Sequence, residues 1–203
     1  MEIDASKLSA PDMYRLLTGI VVPRPIAWVT SMSPNSIVNA APFSAFTWVS
    51  TDPAILGFSI GLRQGVPKDT ARNIASSKNY VVNIADETLL EQLHLTADEF
   101  PPDVSELSIA GLTTHKSTIV ETPRISDVPI AMECELHGIL EFGRSRAQFV
   151  LGEVVHIHIR EGLCVNGKIE TSDLRPIARL GGPRYAKLGQ IMTMERTFHI
   201  GPR

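Results

Sequence analysis

The sequence predicts a mainly β protein, an antiparallel β-barrel with a few helices added. Short apolar runs of strand length occur along the whole chain, whereas helix signals are few. Two long segments in the second half alternate apolar and polar residues, which is typical of antiparallel strands with one solvated face. Many such strands with two or three helices favour a barrel. No stretch resembles a linker, so we expect residues 1–203 to form a single domain.

The first half contains most of the helix signals. A short helix is predicted from Pro11 to Leu17, capped by Ser9 and stopped by Gly19. A second helix is predicted to start with Asp69 as its cap, and a third covers residues 86–100. The predicted strands of this half are 26–31, 37–43, 54–62 and 79–85. Residues 34–36 supply a turn, and Pro42 pushes its strand to an edge or a bulge.

The second half is dominated by one predicted hairpin. Met132, Cys134 and Leu136 lie on one face of a strand, and Glu133 lies on the other. A similar alternation runs from Phe149 to Arg160, after a break of about five residues. Asn166-Gly167 predicts a further tight turn. Residues 101–112 are predicted to be loop, and 179–189 form a glycine-rich loop.

Composition excludes several functional classes. The chain has 203 residues, is 43% hydrophobic and carries a formal net charge of -3, so nothing draws it globally to nucleic acid or anionic membrane. Its two cysteines are too few for a disulfide scaffold. The amino end holds acidic residues and no apolar core of a signal peptide, and no apolar stretch approaches the ~18 residues of a membrane span. We expect a soluble cytoplasmic protein.

Two apparent motifs are only weak evidence for a functional site. Residues 162–168 match GxxxxGK, but Ile169 stands where a phosphate-binding loop needs a hydroxyl, and GxGxxG is absent. His156 and His158 share a strand face at a spacing that suits a metal. A third ligand would be required, so the pair is interpreted as two histidines on a half-solvated strand, and no metal is expected. Cys134 is interpreted as a small buried hydrophobe.

One segment suits an anion. Lys68, Asp69 and Thr70 open the second helix, and Asn73 follows one turn later. A helix start offers free backbone N–H groups and the positive end of the helix dipole, to which the lysine adds a charge and the threonine a hydroxyl. Two interpretations remain open from this segment: a phosphate site, or an ordinary helix cap with a solvated lysine.

The residues before this segment add weight to the phosphate site. Arg24 lies between two prolines, which hold the backbone extended, and Thr30 and Ser31 end the strand that follows. Asn39 and Ser44 flank a stretch in which small residues, including Ala41, would let a flat ring approach the backbone. Together these residues offer a phosphate end, a run of hydroxyls and a place for a ring.

This order of segments resembles the flavin reductase-like family, in the branch of FMN-binding split barrels that includes flavoredoxin. The matching segments are PRPIAWVTS (23–31), NAAPFSAFTWVSTDPAILGFSI (39–60), KDTARNI (68–74), YVVNIA (80–85), AMECELHGIL (131–140) and FVLGEVVHIHI (149–159). The resemblance covers roughly residues 12–190, whereas residues 101–128 match nothing in it.

The resemblance implies a split β-barrel homodimer with one FMN per subunit, FAD being the less favoured flavin. It places the phosphate on the segment that starts at Lys68, the ring along the backbone from Asn39 to Ser44, and Tyr185 in a loop over the ring. Gln148 stands where the family often has a histidine, so no proton relay is expected there. The cofactor-binding residues it implies are Arg24, Thr30, Ser31, Asn39, Ala41, Pro42, Phe43, Ser44, Ser59, Gly61, Lys68, Asp69, Thr70, Asn73 and Tyr185.

Three functions follow from the resemblance. The first is an oxidoreductase in which NADH or NADPH reduces the flavin, or in which the flavin passes electrons to a partner. The flavin would supply the chemistry, so no catalytic acid or base is expected among the side chains. The second is a non-catalytic FMN carrier or redox sensor that serves a redox protein partner. The third is a barrel that has lost its flavin, which the intact Lys68-Asp69-Thr70 segment disfavours.

Overall fold

A computed structural model describes residues 1–194 of the chain. Two short 3-10 helices span Ala5–Lys7 and Glu87–Leu89. The α-helices are α1 (Ala10–Ile20), α2 (Asp69–Ser77), α3 (Leu90–Leu95), α4 (Glu106–Ile109) and α5 (Thr171–Leu174). The strands are β1 (Ala27–Met32), β2 (Val38–Phe43), β3 (Phe46–Thr51), β4 (Ala54–Ile60), β5 (Asn79–Ile84), β6 (Thr114–His115), β7 (Arg124–Ile125), β8 (Ile130–Phe142), β9 (Ala147–Ile159), β10 (Cys164–Val165), β11 (Lys168–Ile169), β12 (Ala178–Arg179) and β13 (Tyr185–Ala186).

Seven strands form one sheet in the order β2-β1-β5-β8-β9-β4-β3, and every neighbouring pair is antiparallel. The two edge strands, β2 and β3, follow each other in the chain with only Ser44 and Ala45 between them. Two residues cannot span the width of a flat seven-stranded sheet, because neighbouring strands are about 4.8 Å apart. The sheet therefore curls until its edges approach, and the Ser59 N–H donates to the Ala45 carbonyl at 2.9 Å beside this junction.

The curled sheet is buried on both of its faces over β1 and β5. Val82 of β5 and Phe58 of β4 belong to an inner cluster. Strands from both halves of the sheet contribute to this cluster. Val81 and Trp28 belong to an outer cluster, which packs against Leu93 of α3 and the chain beyond it. Burial on both faces explains why 79–85 reads as a continuous apolar run rather than an alternating one. The predicted mainly β architecture is confirmed.

Helix boundaries are where the predictions were weakest. Ser9 does cap α1, since its hydroxyl accepts from the Asp12 N–H at 3.2 Å, but the helix continues through Gly19 to Ile20. The predicted helix over 86–100 is wrong in length, because only a 3-10 turn and the six residues of α3 form. Residues 101–112, predicted to be loop, include α4. None of the helices in residues 1–194 is long and apolar enough to cross a membrane.

The predicted hairpin is β8 and β9, and its alternation is interrupted by a β-bulge after Glu133. Glu133 was predicted to lie on the polar face with the other acids of β8, but it is fully buried. Residues 118–120 cover it and supply backbone N–H groups to its carboxylate. Cys134 is buried as predicted, and burial raises the pKa of its thiol to about 12. The Asn166-Gly167 turn joins β10 and β11, also as predicted.

Candidate functional site

The site lies where the amino end of α2 meets edge strand β2. Two adjoining cavities of about 200 and 290 Å³ share Pro42, Lys68 and Ala97 in their walls. Together they fall within the volume range of small-molecule sites, roughly 300–1,000 Å³. The first cavity is lined by, among others, the apolar side chains of Phe43 and Phe100. An apolar wall beside a cationic rim suits a ligand with a flat ring at one end and an anion at the other.

Helix α2 begins without a side-chain cap. Asp69 was predicted to be the cap, but it is the first helical residue, and its carboxylate pairs with Arg72. The cap position belongs to Lys68, whose backbone is extended and whose side chain makes no capping bond. Within residues 1–194, the N–H groups of Asp69, Thr70 and Ala71 have no protein acceptor. Three free donors at the positive end of the helix dipole suit a phosphate.

Lys68 differs from the other basic residues that line the two cavities. Arg63 pairs with Glu99 at 2.5 Å, and Arg72 pairs with Asp69. In the part of the chain that the structure describes, the Lys68 ammonium has neither an ion pair nor a hydrogen bond. A lysine without a protein partner, next to an uncapped helix start, is available to an anion.

Arg24 lines the second cavity, but its guanidinium is already occupied. It donates to the carbonyls of Thr18 at 2.8 Å, Val21 at 2.6 Å and Leu180 at 3.0 Å, and to the Ser44 hydroxyl at 3.2 Å. Four protein acceptors leave it little capacity for a phosphate, because a guanidinium has five N–H donors. Arg24 therefore holds α1, the β2–β3 junction and the 180 loop together around the cavity.

A buried polar network lies behind the cavities. The Thr70 hydroxyl donates to Asn39 Oδ1 at 2.8 Å, and the Ser31 hydroxyl lies 3.4 Å from the same oxygen. Asn73 Nδ2 donates to the Ser31 hydroxyl at 3.3 Å. Ser31 and Asn39 are directly opposite in the β1–β2 register, so their side chains share one face of the sheet. Asn39 and Thr70 reach the cavity, whereas Ser31 and Asn73 support them from behind.

Glu106 is a site residue that sequence reasoning missed. Its carboxylate accepts from Asn39 Nδ2 at 2.5 Å and from the Ala40 N–H at 3.0 Å, and it lines the first cavity. Burial raises the pKa of this carboxyl, although the Ala40 N–H and Asn39 oppose the shift. Glu106 lies 67 positions from Asn39 in a segment predicted to be loop. Its position in sequence, beside Leu107, carries no signal that separates it from a solvent-facing acid.

Six of the predicted binding residues do not line these two cavities: Ser31 and Asn73 lie behind them, and Thr30, Ser59, Gly61 and Tyr185 lie elsewhere. The Thr30 hydroxyl is fully buried on the opposite face of β1, where it donates to the Pro123 carbonyl at 2.8 Å. This follows from strand alternation, because neighbours Thr30 and Ser31 must point to opposite faces. Ser59 and Gly61 belong to the end of β4. Tyr185 lies against α3, with its hydroxyl 3.0 Å from His94 Nδ1.

The remaining predicted residues do meet at the cavities. An uncapped helix start, a lysine and an apolar wall thus meet on the rim of the β-barrel, an arrangement that suits an anion. The cavity-lining residues among those predicted are Arg24, Asn39, Ala41, Pro42, Phe43, Ser44, Lys68, Asp69 and Thr70.

Residues 19–170 match the model of the flavin reductase like domain, so the chain belongs to the flavin reductase-like family, as the sequence resemblance indicated. It is similar to nitrilotriacetate monooxygenase component B from Bacillus cereus, with 35% identity, a TM-score of 0.92 and coverage of 96% of this chain and 98% of that one. It is also similar to the 2-nitrobenzoate 2-nitroreductase of Pseudomonas fluorescens, with 35% identity, a TM-score of 0.89 and 99% of each chain covered. Flavoredoxin of Desulfovibrio vulgaris (Miyazaki F) shares the fold at 16% identity, with a TM-score of 0.77 over 97% of this chain and 98% of that one.

Proposed function

We propose that the protein binds FMN and acts as an oxidoreductase in which NADH or NADPH reduces the flavin. The observation that carries the proposal is the uncapped start of α2 beside Lys68, which has no protein partner in residues 1–194. Membership of the flavin reductase-like family supports the choice of a flavin over other phosphate esters. FMN is favoured over FAD by the resemblance described above.

The residues present fit this cofactor. The N–H groups of Asp69, Thr70 and Ala71 and the Lys68 ammonium would hold the phosphate, and the apolar wall around Phe43 would exclude water from the ring. A bound flavin would supply the hydride and electron transfer chemistry. The chain's own part is to bind and orient that group and to set the charge around it, which includes the buried carboxyl of Glu106.

Rapid mixing tests the reductase function. The FMN-loaded protein is mixed with NADH or NADPH without oxygen, and the loss of flavin absorbance is followed against free FMN at the same concentration. We expect at least one nucleotide to reduce the bound flavin faster than the free flavin. If neither does so, the protein is not a pyridine-nucleotide-dependent reductase.

A second candidate is an FMN protein that exchanges electrons only with a protein partner. The similarity to a protein named as component B of a monooxygenase favours a function beside another protein. Failure of both nucleotides together with reduction by a ferredoxin-like donor would establish this function. If the purified protein has no flavin absorbance, even after FMN is added, we would conclude that it is a barrel that no longer binds flavin.

We further propose a homodimer, on the family resemblance. Light scattering on the purified protein gives the mass in solution, and the expected value is twice the 22.2 kDa of the chain. A mass equal to that of one chain would contradict the dimer while leaving FMN binding untouched.

A further inference from the structure

A second polar cluster lies on the β8–β9 hairpin, at the bulge after Glu133. Glu133 and His156 are directly opposite in the strand register, and His158 is diagonal to Glu133 on the same face. One potential ligand atom from each residue lies within 4.8 Å of the others. The sequence showed the two histidines but not their third partner, because the alternation of β8 assigned Glu133 to solvent.

The carboxylate of Glu133 is fixed in place. It is fully buried, and it accepts backbone N–H groups from Thr118 at 2.6 Å, Ile119 at 2.7 Å and Val120 at 3.0 Å. These three donors favour the ionised carboxylate and orient it, as outer-shell donors orient the carboxylate ligands of metals. The remaining position on Oε1 points to His158 Nε2, 2.5 Å away.

His156, in contrast, is not held by a hydrogen bond in the described part of the chain. Its ring lies 4.7 Å from that of His158, measured between centroids, and its nitrogens make no hydrogen bond to any residue in 1–194. A simple Glu133–His158 ion pair gives His156 no role. Two imidazoles and one carboxylate, however, form a ligand set that zinc commonly takes, with water in the fourth position.

We propose that Glu133, His156 and His158 bind a divalent transition metal of the zinc class, one ion per chain. The ion takes the place of the proton between Glu133 and His158 and recruits the free nitrogen of His156. A cavity that includes His158, Arg124 and Arg160 in its wall lies beside the cluster and gives solvent access. Binding fastens both strands of the hairpin to the 118–120 segment and does not depend on the flavin.

In the absence of an ion, the Glu133–His158 contact is too short for two ligands of one tetrahedral metal. Ligands about 2.0–2.1 Å from zinc are roughly 3.3 Å apart. Small side-chain rotations of the half-buried histidines provide that opening, while the carboxylate stays on its three N–H donors. The proposed site is therefore one in which the histidines adjust to a fixed carboxylate.

The deciding variant is His156→Ala, because it removes a ligand without breaking any hydrogen bond among the described residues. Protein without an affinity tag is stripped of metal and titrated with Zn²⁺ near neutral pH by calorimetry, and thermal unfolding is recorded with and without Zn²⁺. We expect one Zn²⁺ per chain and a metal-dependent rise in unfolding temperature. His156→Ala is expected to weaken binding about a hundredfold or more, beyond the usual 10–100-fold effect of an outer-shell change.

His137→Ala is the matched control, since His137 lies on the same hairpin but is exposed and outside the cluster. It should bind Zn²⁺ as the unmodified protein does. The proposal is overturned if the unmodified protein does not bind Zn²⁺, if His156→Ala binds it equally well, or if His137→Ala loses binding to the same extent. Equal binding by His156→Ala would leave the cluster as a Glu133–His158 pair alone.

Discussion

Lys68 is the residue on which the proposed cofactor site depends most. Its ammonium has no partner among residues 1–194, and it lies in the wall of both cavities. The sequence alone could not separate a phosphate site from an ordinary helix cap. The structure favours the phosphate site, because neither Lys68 nor Asp69 caps the helix with its side chain.

The Lys68→Ala variant should weaken FMN binding by about 1–3 kcal/mol, the range for losing a charge-assisted hydrogen bond. The loss should be smaller for riboflavin, which has no phosphate. Fluorescence titration of both flavins measures the difference, and Lys116→Ala, another exposed lysine, is the control. Equal losses for FMN and riboflavin would place Lys68 away from the phosphate.

The carboxyl group of Asp86 makes the free energy of unfolding depend on pH. Burial alone would raise the pKa of its carboxyl, but Thr88 and Arg160 together outweigh burial and lower it. The Arg160 guanidinium lies 3.1 Å from the carboxylate, and the Thr88 N–H lies 3.0 Å from it. Because the folded-state pKa is the lower one, this carboxylate stabilises the fold above the unfolded pKa of about 3.9. That stabilisation is lost as the pH falls through the folded-state value.

The Asp86→Asn variant should therefore lower the free energy of unfolding by about 1–3 kcal/mol at neutral pH. The difference from the unmodified protein should shrink as the pH falls below about 4. Urea unfolding at several pH values measures it, and Asp127→Asn, at an exposed position, should show neither effect. A difference that stays constant with pH would mean that the charge of Asp86 is irrelevant.

At the scale of the elements, β9 packs closely against a side chain of β5. Gly152 of β9 lies over Tyr80 of β5, and a Cβ built at Gly152 would be 2.1 Å from the Tyr80 hydroxyl oxygen and 2.6 Å from its Cζ. Both residues are buried. A glycine is required here because the ring of Tyr80 fills the space that a side chain would occupy.

We expect Gly152→Ala to destabilise the protein by about 1–3 kcal/mol, the usual effect of overpacking a core. Gly138→Ala is the matched control, because Gly138 lies on the partner strand and a Cβ there would meet nothing within 4 Å. Thermal unfolding compares the two variants. A Gly152→Ala protein as stable as Gly138→Ala would show that Tyr80 moves aside without cost.

At the scale of the whole molecule, the proposed cofactor site is assembled from segments that are distant in the chain. Arg24 donates to residues of α1, the β2–β3 junction and the 180 loop, so it fastens three distant segments around one cavity. Glu106 joins β2 to the segment after α3 in the same way. A ligand that fills this cavity therefore contacts parts of the chain that only the folded state brings together.

FMN should consequently raise the unfolding temperature of the flavin-free protein. A ligand that binds only the folded state adds about 2.7 kcal/mol when its concentration is 100 times its dissociation constant. Differential scanning fluorimetry with increasing FMN measures the shift, and Lys68→Ala should reduce it at equal FMN. An unfolding temperature that does not change with FMN would contradict a cofactor site in the folded barrel.

Much of the fold was predictable because its signals are local. Strand alternation, the Pro42 edge position and the Asn166-Gly167 turn each depend on a few neighbouring residues, and all were predicted. The lengths of α1 and α3 were not, because tertiary packing decides where a marginal helix ends. Thr30 does not line the two cavities, and strand alternation in the sequence already places its side chain on the face opposite that of Ser31.

By itself, the sequence determined the β architecture and the segment at Lys68, because alternation, turn residues and a helix start are written in consecutive positions. Its resemblance to known proteins indicated the family. Only the tertiary structure decided that Arg24 is used within the fold, that Glu106 enters the cavity and that Glu133 is buried beside two histidines. Each of these three results depends on a contact between segments that are distant in the chain, or with a loop that covers the residue. Burial by distant segments sets the neighbours and charge state of such residues, and no local pattern records it.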